Sequence, residues 1–325
     1  MDETSLLLLF DANRPCWSGP LVQLAGEDPS GLSSLREKGL LEESLGGAYV
    51  LTPAGRARFS ELARESFLDA AAGELPGDPG RSLACLETIL RLDRGFHSPW
   101  GSKEGKTDTS LAYFPALPAP KGFEGLEALE AHPLAKSFAE AFPRVSPDGA
   151  RPSAERLRDW AAASGAREGS LDLDVLFLHR YDYTYYMDAT APGDSMKLLN
   201  TDRLMIRLAE PLREGRDSFM ERAAGDLASL RGFLGYARGY LLPGQFDTDT
   251  QEQSSITWWV WVTRTKEEAS LLQGWLAPLS DRLIGSSAPL DFWLLSLEAL
   301  RSEPERHENF YELFESVGIT IARTA

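Results

Sequence analysis

The chain's 325 residues, 43% hydrophobic and 25% charged, exclude a disordered or fibrous protein and suit a folded chain of about two domains. With 33 lysines and arginines against 49 aspartates and glutamates, a net charge of −16, broad electrostatic attraction to nucleic acid or anionic lipid is disfavoured. Two cysteines, Cys16 and Cys85, are too few for a disulfide framework or a cysteine metal site, and the apolar run Leu6 to Phe10 is too short for a signal or membrane helix, so a cytoplasmic protein without membrane association is expected.

In chain order, an apolar helix over Leu6 to Phe10 is expected first, then a short helix around Leu21, Val22 and Leu24. A third runs from Pro29 to Lys38, with Leu32 and Leu35 on one face, and Gly39 ends it. Leu40 to Ser44 and Ala48 to Thr52 read as strands joined by a turn at Gly46 and Gly47. Thr52 and Pro53 then make an N-cap and first turn for a helix through Phe59, Leu62, Phe67 and Leu68 that stops near Gly73. Three helices, a two-stranded wing and a closing helix, with the stretch LREKGLLEESLGGAYVLTPAGRARF from Leu35 to Phe59, resemble the winged-helix domains of bacterial transcription regulators. The resemblance covers residues 3–69. It implies that the third helix enters the major groove, with Ser30, Ser33, Ser34, Arg36, Glu37 and Lys38 as the DNA-facing positions and Gly46 and Gly47 at the wing tip.

The charges of that segment work against DNA. Only Arg36 and Lys38 are basic on the third helix, the wing tip carries no charge, and residues 1–70 hold six basic against eleven acidic residues, a net of −5. Weak DNA binding and docking of a protein partner, or dimerisation, therefore stay open together for the winged segment.

A helix is expected from Ser82 to Gly95. Eight of the 20 prolines then fall between positions 99 and 152, which reads as a connecting region with short helices. The stretch GSKEGKT, Gly101 to Thr107, has three residues between its glycines where a phosphate loop needs four, and it reads as a flexible polar loop. Ser153 opens a helix through Leu157, Trp160 and Ala161 that ends at Gly165. Asp174 to Tyr186 and Lys197 to Leu208 read as a hairpin with Ala191, Pro192 and Gly193 in its turn, and Asp217 begins a helical pattern up to about Tyr240. Ile256 to Thr263 is a strongly β-prone strand, and Thr265 with Glu268 forms a capping box for the helix carrying Leu271, Leu272, Trp275, Leu279 and Leu283. Phe292 to Leu297 fits strand or helix. Pro304 opens a helix closed by Gly318, and Ile319 to Ala322 is a short last strand. The expected class is α+β: an N-terminal winged helix over 1–74, a helical, Pro-rich connector over 75–150, and a C-terminal mixed α/β domain over 151–325.

Chemistry-bearing residues concentrate in the hairpin. A strand through LFLHRYDYTYYMD puts Phe177, His179, Tyr181, Tyr183 and Tyr185 on one face and Arg180, Asp182, Thr184 and Tyr186 on the other. His179 and Asp182 are the catalytic candidates, and Tyr181, Tyr183 and Trp259 the candidates for stacking a flat ligand. If the protein has a pocket of functional size, it is expected in the C-terminal domain beside this hairpin. The bland alternative is a half-buried strand with a structural ion pair. Asp247, Asp249 and Glu252 are weak candidates for a magnesium or calcium site, and no cofactor is expected. The pattern points to a regulatory protein whose C-terminal domain binds a small molecule or partner. An enzyme, for instance a metal-assisted hydrolase, is the alternative, and an interaction module without a ligand is the third reading.

Overall fold

The computed structural model describes residues 3–12, 14–44, 46–66, 71–95, 109–113, 174–186, 195–226, 257–279, 290–303, 307 and 310–322; in the strands at 109–113, 176–186 and 195–203 it describes the backbone. Helices and strands are both present, an α+β composition. The chain divides into two units, Met1–Gly95 with Leu300–Pro304, and Phe96–Ala299 with Glu305–Ala325.

The first unit runs α1 (Glu3–Leu7), β1 (Cys16–Trp17), α2 (Gly19–Leu24), α3 (Ser30–Glu37), β2 (Leu41–Ser44), β3 (Ala48–Leu51), α4 (Pro53–Glu65) and α5 (Pro79–Gly95). Its strands form an antiparallel sheet in the order β1-β3-β2. Gly46 and Gly47, at φ +81° and +75°, supply the left-handed backbone the β2–β3 turn needs. Thr52 caps α4 by accepting from the Gly55 amide at 3.0 Å while its hydroxyl donates to the Gly39 carbonyl at 2.6 Å. Gly55 lets the first turn of α4 press on the chain at Leu40, whose carbonyl oxygen would lie 2.0 Å from any Cβ. Phe10, Trp17, Val22, Leu35, Val50 and Phe59 fill the core.

Three expectations for this unit are corrected. The first helix is Glu3–Leu7 and not Leu6 to Phe10: the Leu9 carbonyl accepts from the Trp17 indole at 2.8 Å and the Phe10 carbonyl from the Gly73 amide at 2.9 Å, so neither continues a helix. Gly73 accordingly belongs to an extended contact with Phe10 and Asp11, not to a helix end. The helix expected from Ser82 starts at Pro79, where the Asp78 carboxylate accepts from the Arg81 amide at 2.9 Å.

Among the described residues the second unit holds six strands, in the order β4-β5-β6-β7-β8-β9. They are β4 (Thr109–Tyr113), β5 (Val175–Tyr186), β6 (Ser195–Leu208), β7 (Thr257–Thr263), β8 (Leu290–Ser296) and β9 (Gly318–Ala322). The pairs β4–β5, β5–β6 and β8–β9 are antiparallel, and β6–β7 and β7–β8 parallel. Parallel neighbours need crossovers. After β6 come α6 (Pro211–Glu214) and α7, described over 216–226, and after β7 comes α8 (Lys266–Leu276). Arg207 of β6 meets Asp226 of α7, and Phe219 of α7 meets Trp275 of α8 with ring centroids 5.8 Å apart, so both helices cover the Arg207 face. After β8 come α9 (Leu297–Ser302) and α10 (Phe310–Val317). Phe314 of α10 packs on Trp258 and Trp293 and covers the opposite face.

A strand covered on both faces needs large apolar residues on both, and β7 has them: Trp258, Trp259, Val260, Trp261 and Val262 are all buried. The expected capping box forms, with Thr265 Oγ1 accepting from the Glu268 amide at 3.2 Å and Glu268 Oε2 accepting from the Thr265 amide at 3.2 Å. Phe292 to Leu297 resolves into both alternatives, strand to Ser296 and helix from Leu297, with Ser296 Oγ accepting from the Ala299 amide. β4 is a strand inside the proline-rich stretch, where the sequence predicts a connector with short helices. The helix expected from Ser153 to Gly165, the Ala191 to Gly193 turn, Phe67, Leu68, Leu283 and Pro304 lie outside the described residues, as does the course of the Asp217 helix beyond 226.

Candidate functional site

Two regions hold the sequence's candidates, one in each unit. In the first, α3 buries Leu32 and Leu35 and turns Ser30, Ser33, Arg36, Glu37 and Lys38 outward, the split its 3.6-residue period requires. The outward chemistry is engaged locally. Ser30 Oγ donates to Asp28 Oδ2 at 2.6 Å and its amide to Asp28 Oδ1 at 2.9 Å, bonds that hold the Asp28 carboxyl below its usual range. Arg36 Nη1 donates to Glu43 Oε2 of β2 at 2.9 Å, and Glu42 is exposed beside it. Ser34 is half-buried. The helix and strand thus present Glu37, Glu42 and Glu43 against Arg36 and Lys38, one acid more than base.

In the second unit the β5–β6 ladder runs in one unbroken register from Val175↔Ile206 to Tyr186↔Ser195. His179 and Asp182 are three residues apart on this regular strand, so their positions fall on opposite faces of the sheet and the ladder does not bring them together. Tyr181 and Tyr183 share the His179 face by position. The register adds two residues not singled out from sequence: Ser110 of β4 pairs with His179 on one side and Asp202 of β6 pairs with it on the other. Cross-strand partners share a face, so Ser110, His179 and Asp202 form one row across three strands. No local signal could have found this row, because β4 was not foreseen as a strand.

Trp259 is fully buried, edge-to-face with Trp261 at a centroid separation of 5.9 Å, which makes it a core residue. Behind it on the same face lies a buried ion cluster: Arg207 Nε is 3.5 Å and Arg222 Nη1 3.7 Å from Asp226 Oδ2, and Arg222 also forms a bidentate pair with Glu214. Nearby, burial pushes the Glu210 carboxyl up, but hydrogen bonds and charge from Arg264 and Arg213 outweigh it and leave the group below its usual range. These pairs tie α6, α7 and the chain after β7 to the sheet. Asp247, Asp249 and Glu252 lie outside the described residues, and among the described ones no three His, Cys, Asp or Glu side chains gather where a metal ion could be held. Among the described residues no helix is long and apolar enough to cross a membrane. Comparison with protein-family models, curated proteins and solved structures finds no match to this chain.

Proposed function

We propose that the chain is a regulatory protein whose first unit is a winged-helix module that docks a protein partner with a basic surface, and whose second unit receives a small molecule or a further partner. Three helices, a glycine-turned hairpin and a closing helix, the order the resemblance implies, support the winged-helix reading. The observation that carries the choice of partner is the Arg36–Glu43 ion pair. A helix that reads DNA keeps its cations for phosphates and base edges. Here the helix's arginine is matched by a carboxylate on the adjoining strand, and Glu37 and Glu42 against Lys38 leave the surface with a net negative charge that would face a phosphate backbone. The same surface complements lysine and arginine on a protein, where charge arrangement sets partner choice and association rate. A cytoplasmic setting belongs to this reading: Cys16 and Cys85 are buried and form no disulfide, and burial raises the Cys16 thiol to about 11 despite a hydrogen bond from Ser82.

The test is a photo-crosslinking residue placed at Ser33, whose side chain is exposed on α3, in the full-length chain inside cells that make the protein. The expected adducts resist nuclease, are destroyed by protease, and are lost on Glu42→Lys with Glu43→Lys. Adducts removed by nuclease, and enhanced by those two substitutions, would overturn the reading.

A further inference from the structure

The sheet of the first unit ends on β2, which pairs with β3 on one side and, among the described residues, with no strand on the other. We propose that this outer edge of β2 receives an extended segment of the protein partner as an added strand, with a lysine or arginine of that segment set opposite Glu42. The inference rests on the docking reading above and names how the partner is held.

The open edge follows from the ladder. Antiparallel pairs alternate between residues that exchange both backbone hydrogen bonds and residues that exchange none. The Thr52 amide donates to the Leu40 carbonyl at 3.1 Å, which makes Leu40 and Thr52 a bonded position. Counting by two along the register, Glu42 with Val50 and Ser44 with Ala48 are the bonded pairs of the hairpin, so Leu41 and Glu43 turn their N–H and C=O groups away from β3. Leu41 is buried and Glu43 exposed, so the accessible stretch centres on Glu43. Among the described residues no hydrogen bond reaches the Glu43 amide or carbonyl, while its carboxylate is engaged by Arg36 at 2.9 Å. An exposed edge with unpaired backbone groups is a template for a further strand, whose main chain supplies affinity and whose alternate side chains supply specificity.

Charge decides the occupant. Two copies of this chain joined edge to edge have two antiparallel registers within β2 that use the Glu43 backbone. One sets Glu43 against Glu43 of the second copy, and the other sets Glu42 against Glu42. Like charges directly opposite are destabilising, and charged side chains on an edge are a means of preventing such self-pairing. A strand carrying lysine or arginine reverses the sign. Its Cβ lies about 4.5–5.5 Å from that of a residue directly opposite, which brings the cation to Glu42, exposed and without an ion pair among the described residues. Glu43 is already matched by Arg36, so the residue that exchanges backbone bonds with it is uncharged. The segment that fits therefore alternates, basic on the side of Glu42 and neutral on the side of Glu43.

A fluorescein-labelled heptapeptide, TVKVKVT, titrated with the full-length protein and followed by fluorescence anisotropy tests the assignment. With its central valine opposite Glu43, its lysines lie opposite Glu42 and Ser44. The expected result is saturable binding, with hydrogen exchange of the Glu43 amide slowed in the complex as read by NMR. N-methylation of the valines removes the N–H groups that face β2 and should weaken binding at least about tenfold, whereas N-methylation of the lysines, whose N–H groups face away, should change it less than about twofold. Both peptides keep the same charge, so the comparison separates strand addition from plain attraction. Glu42→Gln in the protein should weaken binding about two- to fivefold, the range of an exposed ion pair. No saturable binding, equal effects of the two methylations, indifference to Glu42→Gln, or protection elsewhere than at Glu43 would overturn strand addition and leave the docking reading standing. The docking reading falls by a different result, nuclease-sensitive adducts from Ser33, and would take this inference with it.

Discussion

Replacing Trp259 by alanine tests how the second unit's core holds together. The indole is fully buried on the central strand, between Met205 of β6 and Phe292 of β8 in the register, with Trp261 edge-on at 5.9 Å. Removing a buried aromatic of about 150–250 Å² down to a methyl takes away roughly 150 Å² or more of apolar burial. At about 25 cal/mol per Å² that is near 4 kcal/mol, within the range of about 3–5 kcal/mol measured for such truncations once the cavity is included. Part of the loss belongs to the Trp259–Trp261 contact, so the double variant with Trp261→Ala should fall short of additivity by about 0.5–1.5 kcal/mol. Urea unfolding of the full chain, followed by circular dichroism and by tryptophan fluorescence, measures both quantities. A loss below about 1 kcal/mol would refute the reasoning: the strand would not be interior, and Trp259 would return as a surface for a flat ligand.

Two further perturbations address the charges. Asp226→Ala takes from the buried Arg207 and from Arg222 a carboxylate they share at 3.5 and 3.7 Å and should destabilise by about 3 kcal/mol, the lower end for breaking a buried ion pair; a loss below about 1 kcal/mol in urea unfolding would contradict a structural role for the pair. Glu87, although burial pushes its carboxyl up, is held below its ordinary range by hydrogen bonds and charge from Arg301 and Arg91, with Arg301 bidentate at 2.7 and 2.8 Å. A carboxyl lowered in the folded state contributes stability above its unfolded pKa near 4.5 that is lost as the pH falls through the folded value. The melting temperature of Glu87→Gln should therefore lie below wild type at pH 7 and approach it as the pH falls below 4.5 and through the lowered folded pKa, and a difference that does not shrink with acidification would contradict the assignment.

What was legible in the sequence was local. Thr265 and Glu268 announce the start of α8 because both halves of a capping box lie within four residues. Gly46 and Gly47 mark the hairpin turn because few other residues adopt that backbone. The Ile256 to Thr263 run signals a strand because it is dense in β-branched and aromatic residues. Misreadings arose where tertiary partners decide. Leu6 to Phe10 looked helical by composition, but its last carbonyls are taken by Trp17 and Gly73, distant in sequence. Phe292 to Leu297 was ambiguous because the strand and the helix share one apolar run, and the boundary is set by the Ser296 hydroxyl. β4 has five residues in a proline-rich setting, too short to show a period against that background. The partners of His179 were illegible for the same reason: alternation within β5 separates His179 from Asp182, but only pairing between strands puts Ser110 and Asp202 beside it.

The choice of a protein partner over DNA for α3 and β2 is tested most directly by titrating a labelled duplex library with the full-length chain at two salt concentrations. With Arg36 matched by Glu43 and Lys38 the other cation on the helix, binding should be no tighter than the non-specific range of about 10⁻⁴ to 10⁻⁶ M at physiological salt, and its salt slope no steeper than about −2, the release expected from two phosphate contacts. Nanomolar binding to a selected sequence, with a steep salt slope and loss on Arg36→Ala, would contradict the docking account and return α3 to the major groove.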